Sequence, residues 1–193
     1  MFESLPDFPL NRRWRGQAFP SPVVVAIIQR QTAVSQPRCL LIRRVSDSYI
    51  DQWALVGGKW DFGETLVTAV TREVKEETNL NATFTALRGI VSERVVPPDQ
   101  ENDAAHFLIF VCELSAPDGV AREQNEGAVA WFTRTEIDEL HAQNAIIPSD
   151  YRMLQQFAGS TESVSHVEAE MLSALGGNQK QPAHLIRFER VNS

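Results

Sequence analysis

Cysteine is scarce in this chain: Cys39 in RCLLI and Cys112 in FVCEL are the only two. Both sit inside apolar runs, which is the setting of buried free thiols, and neither has a neighbour at zinc-ligand spacing. Basic charge is also short. Eighteen Lys and Arg against 25 Asp and Glu leave a net charge of −7, which excludes a broad electrostatic footprint on DNA. No apolar run approaches the length of a bilayer span; VVVAII at 23–28 is among the longest. The opening stretch MFESLPDFPLNRRWRG has acids and prolines where a secretory signal needs an apolar segment, so a cytoplasmic protein is expected.

What is present fits a single soluble α/β domain, since 43% hydrophobic and 22% charged residues over 193 positions can bury a sizeable core. Residues 1–20 read as an irregular arm. VVVAIIQR (23–30) is nearly all apolar, so it reads as a strand buried on both faces, and CLLIRR (39–44) reads as a second strand. WALVGG reads as a short strand running into a tight glycine turn. FTALRGIVSERVV, HFLIFVCEL and AVAWF give further strands at 84–96, 106–114 and 128–132. Helices are expected from Thr135 over TEIDELHAQ and from Ser149 to Phe157, with Ser149 as the cap of the latter. Val164, Val167, Met171, Leu172 and Leu175 recur at helical spacing, which predicts a helix over 161–175, and HLIRFERV reads as an edge strand. The division expected is an arm at 1–20, a catalytic domain at 21–158, and a helix and tail at 159–193 packed on the domain or on a twin subunit.

The most informative stretch is GGKWDFGETLVTAVTREVKEETN, residues 57–79. On a helix starting at Thr65, Glu73, Glu76 and Glu77 are i, i+3 and i+4 neighbours, so they share one arc. Leu66, Ala69 and Val70 lie on that arc, while Thr68, Thr71 and Lys75 fall opposite. The glutamates therefore continue the stripe turned toward the protein body. Carboxylates crowded there destabilise one another unless a cation compensates, and a hard divalent ion with oxygen ligands is the natural candidate. Gly57 and Gly58 would leave backbone exposed for a carbonyl ligand, Thr65 would cap the helix, and Arg72 would pair with Glu64. Asn79 suits a left-handed helix end.

Gly58, Glu64, Arg72-Glu73, Val74, Glu76-Glu77 and Leu80, at these spacings, resemble the Nudix box of the Nudix hydrolases. Asn79 stands where that pattern has glycine. The order of strands around the box is similar over about residues 22–142. The resemblance implies an α/β/α sandwich with a mixed sheet, and hydrolysis of a nucleoside diphosphate linked to another moiety with Mg2+ or Mn2+. It implies Glu73, Glu76 and Glu77 as metal-binding carboxylates, the Gly58 carbonyl as a further ligand, and Glu64 with Arg72 as supports of the loop. Glu73 or Glu76 would orient the attacking water; Glu126 is a candidate for an extra base or ligand. Trp53, Trp60, Phe62, Arg94 and the loop 97–105 are candidates for contacts to base, ribose or phosphate. ADP-ribose, a nucleoside triphosphate, a dinucleoside polyphosphate and a nucleotide sugar all present the same diphosphate to the box. A small nucleotide is the expected partner, with no DNA, no membrane and a homodimer favoured by the resemblance. Competing readings are a Nudix-fold nucleotide sensor without catalysis, an RNA decapping activity, and an isomerase of isoprenoid diphosphates. The last needs a nucleophilic cysteine, which two buried thiols do not offer.

Overall fold

A computed structural model describes residues 9–30, 36–45, 49–95, 104–116, 118–124, 127–164, 167–172 and 184–190. Its central strand is β1 (Ser21–Arg30). The parallel strand β6 (Ala105–Ser115) runs along one edge, pairing Ser21 to Ile28 with Phe107 to Leu114. The other edge of β1 is shared. Its first half pairs with β4 (Val56–Lys59), and its last residues, Gln29 and Arg30, pair with β2 (Arg38–Arg43). β3 (Trp53–Ala54) and β7 (Val129–Thr133) flank β2, and β5 (Thr83–Val95) closes the far side against β6. Every pairing in this seven-stranded sheet except β1 with β6 is antiparallel, so the sheet is mixed.

The apolar run of β1 explains the layering. Side chains alternate across a strand, so Val24, Ala26 and Ile28 face one way and Val25 and Ile27 the other. The first set packs with Leu66, Ala69, Val70 and Val74 of α1 (Leu66–Thr78). The second packs with Ile137 of α2 (Arg134–Ala142) and with Met153 and Leu154 of α3 (Pro148–Phe157). Helices thus cover both faces, an α/β/α sandwich. Each fully buried aliphatic such as Ile27 or Leu66 contributes roughly 1.5–3 kcal/mol on leaving water.

Helix entries are set locally. Thr133 and Glu136 form a reciprocal capping box at α2. At α3 the expected Ser149 cap is not observed. Pro148 occupies the first turn, where its fixed φ starts the helix, and Ile147 precedes it with its N–H donated to the Trp53 carbonyl at 2.9 Å. That bond ties the residue before the helix to β3 and fixes where α3 starts.

The C-terminal expectation needs correction. Val167–Leu172 is a strand, β8, paired antiparallel with β9 (His184–Arg190) in a separate two-stranded sheet, and 161–164 is not helical. Val167, Ala169 and Met171 alternate with period two, and pairing to a distant strand selects that period over the helical one. The edge-strand reading of HLIRFERV agrees with β9. Among the described residues no helix is long and apolar enough to cross a membrane.

Candidate active site

Helix α1 begins where Thr65, in extended conformation, accepts the Thr68 amide on its hydroxyl, and ends where Asn79 turns left-handed at φ 58°. Its buried stripe is Leu66, Ala69, Val70, Glu73, Val74, Glu77 and Thr78. Glu73 and Glu77 are only 8% and 5% exposed, although both are carboxylates. Glu76 instead lies at the rim, with its side chain 57% exposed. Two of the three clustered glutamates thus share one buried face, and the third borders it.

That face meets β4. Gly57 and Gly58, expected in a tight turn, are strand residues opposite Val25 and Val24 of β1. Gly57 adopts φ 153°, and its amide donates to Glu77 Oε2 at 2.9 Å. A Cβ on Gly58 would fall 2.6–2.7 Å from the Glu73 carboxylate atoms. The missing side chain of Gly58 therefore makes the room that Glu73 fills, while Glu77 is held by the Gly57 amide.

Arg72 organises the charge. Its Nε and Nη2 donate to Glu64 Oε1 and Oε2 at 2.7 and 2.9 Å, Nη1 donates to Glu73 Oε1 at 2.8 Å and Glu76 Oε2 at 3.2 Å, and Nη2 also reaches the Lys59 carbonyl at 3.1 Å. Those contacts hold the Glu64 carboxyl below its ordinary range, the Arg72 hydrogen bonds being the main cause, and push the Arg72 guanidinium up. The loop before α1 is braced further by Asp61 N on Glu64 Oε2 and by Trp60 Nε1 on the Glu64 carbonyl. Arg72 already offsets the repulsion between Glu73 and Glu76, so crowding alone does not demand a metal. Among the described residues no three His, Cys, Asp or Glu side chains converge as a ready-made cage. The chemistry of the donors still suits a hard divalent ion. Two buried carboxylates face a backbone stripped of side chains, and oxygen is the only donor type present.

Glu73, Glu77, Gly57 and Gly58 line a cleft of about 480 Å3, a usual size for a small-molecule site. A carboxylate not anticipated from the sequence, Asp150 of α3, also lines it. Asp150 is buried, and its Oδ2 accepts the Leu55 amide at 2.7 Å. Loss of hydration pushes its carboxyl up to about 7, with Glu93 adding to the rise and Arg44 opposing it.

The glycine strand, the glutamate helix and all of the cleft lining but Arg15 lie within residues 19–157, which match the NUDIX domain model. The chain belongs to the Nudix family. It is an enzyme of the Nudix pyrophosphohydrolase class. The ADP-ribose pyrophosphatase of Methanocaldococcus jannaschii is 28% identical over 141 residues, covering 72% of this chain and 78% of that protein. Nucleoside triphosphatase NudI of Enterobacter sp. (strain 638) is 31% identical over 131 residues, covering 64% and 89%. Among solved structures, the MutT NUDIX hydrolase from Burkholderia pseudomallei superposes with a TM-score of 0.57 at 26% identity, covering 72% of this chain and 98% of that one.

The other sequence candidates are dispersed around this Nudix cleft. Glu126 and residues 97–103 of the candidate loop lie outside the described residues. Trp53 packs edge-on against Phe132 at 4.7 Å between ring centroids and joins the α2–α3 side of the core. Trp60 stands edge-on to Phe110, and Phe62 is fully exposed. On β5, Glu93 and Val95 line the cleft while Arg94 between them does not, as strand alternation requires. Cys39 and Cys112 are buried, and burial pushes the Cys112 thiol up to about 12. Neither can supply the thiolate an isomerase would need.

Proposed function

We propose that this enzyme hydrolyses the diphosphate linkage of a small nucleoside diphosphate derivative, with Mg2+ or Mn2+ held by Glu73 and Glu77 and assisted by Glu76 and the Gly58 carbonyl. The observation that carries the reading is the pair of buried carboxylates against the glycine strand, at the wall of a cleft of nucleotide size. The ADP-ribose pyrophosphatase and nucleoside triphosphatase relatives share only the phosphoric anhydride in their names, which is the group this pair would address.

A divalent cation, when bound, would draw charge off the anhydride oxygens and acidify a water. The chain's own part is geometric. Gly57 N fixes one oxygen of Glu77, and Arg72 fixes one oxygen of Glu73, so both carboxylates are oriented before any ligand arrives. Glu76, exposed at the rim and tethered to Arg72, or Glu73, deeper in, orients the water for attack in line with the leaving group. Glu64 keeps Arg72 in place. A homodimer and a cytoplasmic location belong to the same proposal.

The test is phosphate-ester release with Mg2+ across ADP-ribose, nucleoside triphosphates, dinucleoside polyphosphates and nucleotide sugars, each beside Glu77→Gln. Glutamine keeps an oxygen for the Gly57 amide and removes the charge. Loss of roughly 10²–10³-fold in kcat in a folded variant is expected for one substrate class. Unchanged turnover at saturating metal sinks the assignment. No cleavage by the wild type, with a nucleotide still raising Tm, replaces the hydrolase with a ligand sensor.

A further inference from the structure

The cleft has a wall that lies outside the residues matching the family. Residues 9–20 dock on the start of β6. Ala104 N donates to the Arg12 carbonyl at 3.0 Å, and Arg13 bridges Ala104 in parallel. His106 N donates to Gln17 Oε1 at 2.9 Å, and Gln17 Nε2 donates to Ser21 Oγ at 2.7 Å. Between these anchors the chain makes a sharp turn in which Arg15 (φ 51°, ψ 29°) and Gly16 (φ 67°) are both left-handed. The turn puts Arg15 on the same cleft as Glu73 and Glu77.

A left-handed arginine is costly, and such strain persists where surrounding structure holds it. Five non-glycine residues among those described have positive φ. Asn79 and Asn144 follow helices and Asp51 lies in a turn, all types that tolerate this conformation. The two bulky ones, Arg15 and Tyr49, both line the cleft. Strain of this kind therefore gathers at the site. Of the groups lining the cleft, Arg15, Arg44 and Lys59 are cationic against five carboxylates, so an anionic substrate has few positive groups to meet.

We propose that Arg15 is a substrate-binding residue whose guanidinium takes non-bridging oxygens of a substrate phosphate, a pairing for which its planar fork is suited. The docked arm is thus a part of the active site that this chain adds to the family domain. The proposal rests on the nucleotide reading of the cleft and does not require turnover.

The experiment is calorimetric binding of the methylene-bridged, non-hydrolysable analogue of ADP in Mg2+ buffer, beside adenosine, to the full-length wild type, Arg15→Gly and Arg15→Lys. Glycine is at ease in the left-handed turn, so Tm should hold or rise. The analogue should bind about tenfold more weakly to Arg15→Gly, with Arg15→Lys between the two, while adenosine binding stays unchanged. With a substrate in hand, KM should rise with little change in kcat. Equal analogue affinity in wild type and Arg15→Gly overturns the proposal, as does a matching loss for adenosine. A wild type that binds the analogue through Arg15 yet cleaves nothing refutes the hydrolase reading alone.

Discussion

Arg72 grips Glu64 through two parallel hydrogen bonds, Nε to Oε1 at 2.7 Å and Nη2 to Oε2 at 2.9 Å, and so fastens the loop before α1 to the middle of that helix. Both side chains are half-buried, so the pair is screened somewhat less than a fully exposed ion pair. The same guanidinium reaches Glu73, Glu76 and the Lys59 carbonyl, and a lysine could replace only part of that set. Arg72→Lys is therefore expected to lower stability by about 1–2 kcal/mol, or roughly 2–8 °C in Tm. Thermal denaturation checks it, and an unchanged Tm would show that the fork carries no stability.

The two glycines of β4 make opposite predictions. A Cβ on Gly57 would run into the Val24 carbonyl and the Val25 backbone, which cannot move without opening the sheet. The nearest atoms that a Cβ on Gly58 would meet are the end of the Glu73 side chain, which can swing away. Gly57→Ala should fail to fold or lose several kcal/mol. Gly58→Ala should keep its fold and lose activity by about 10²-fold or more, since Glu73 leaves its hollow. Circular dichroism with a turnover assay separates the two. An active Gly58→Ala enzyme would remove Glu73 from the site.

Much of this was legible in local spacing. The stripe through Leu66, Val70, Glu73 and Glu77, the Thr65 cap and the Asn79 end all depend on neighbours within a few residues, where sequence and geometry are tightly coupled. The unbroken apolar run of β1 foretold a strand buried on both faces, and helices cover both. What failed depended on distant partners. Gly57 and Gly58 look like a turn until β1 is placed beside them, and β8 looks helical until β9 pairs with it. Asp150 reads as an ordinary acid near a helix start; only its hydrogen bond to Leu55, 95 residues earlier, reveals a buried cleft carboxyl. Arg15 gave no signal because its role depends on a strained turn, which composition does not encode.

Asp150 yields the clearest dependence on pH. Its carboxyl is pushed up to about 7 in the folded protein, chiefly through loss of hydration, with the Leu55 hydrogen bond opposing and the Glu93 charge adding to the rise, against an ordinary value of about 4. From about pH 4 to 7 the unfolded chain releases this proton while the folded chain keeps it. The stability contributed by neutral Asp150 is thus full below pH 4, falls as pH rises, and is gone above about 7. Asparagine cannot ionise and keeps an oxygen for the Leu55 amide. Asp150→Asn should therefore come within about 1 kcal/mol of the wild type near pH 4.5 and exceed it by on the order of a few kcal/mol at pH 8. Paired thermal melts at the two pH values, in EDTA to keep metal out, measure that difference. A gap of the same size at both would mean that Asp150 carries its charge when folded, and that water or a cation reaches it inside the cleft.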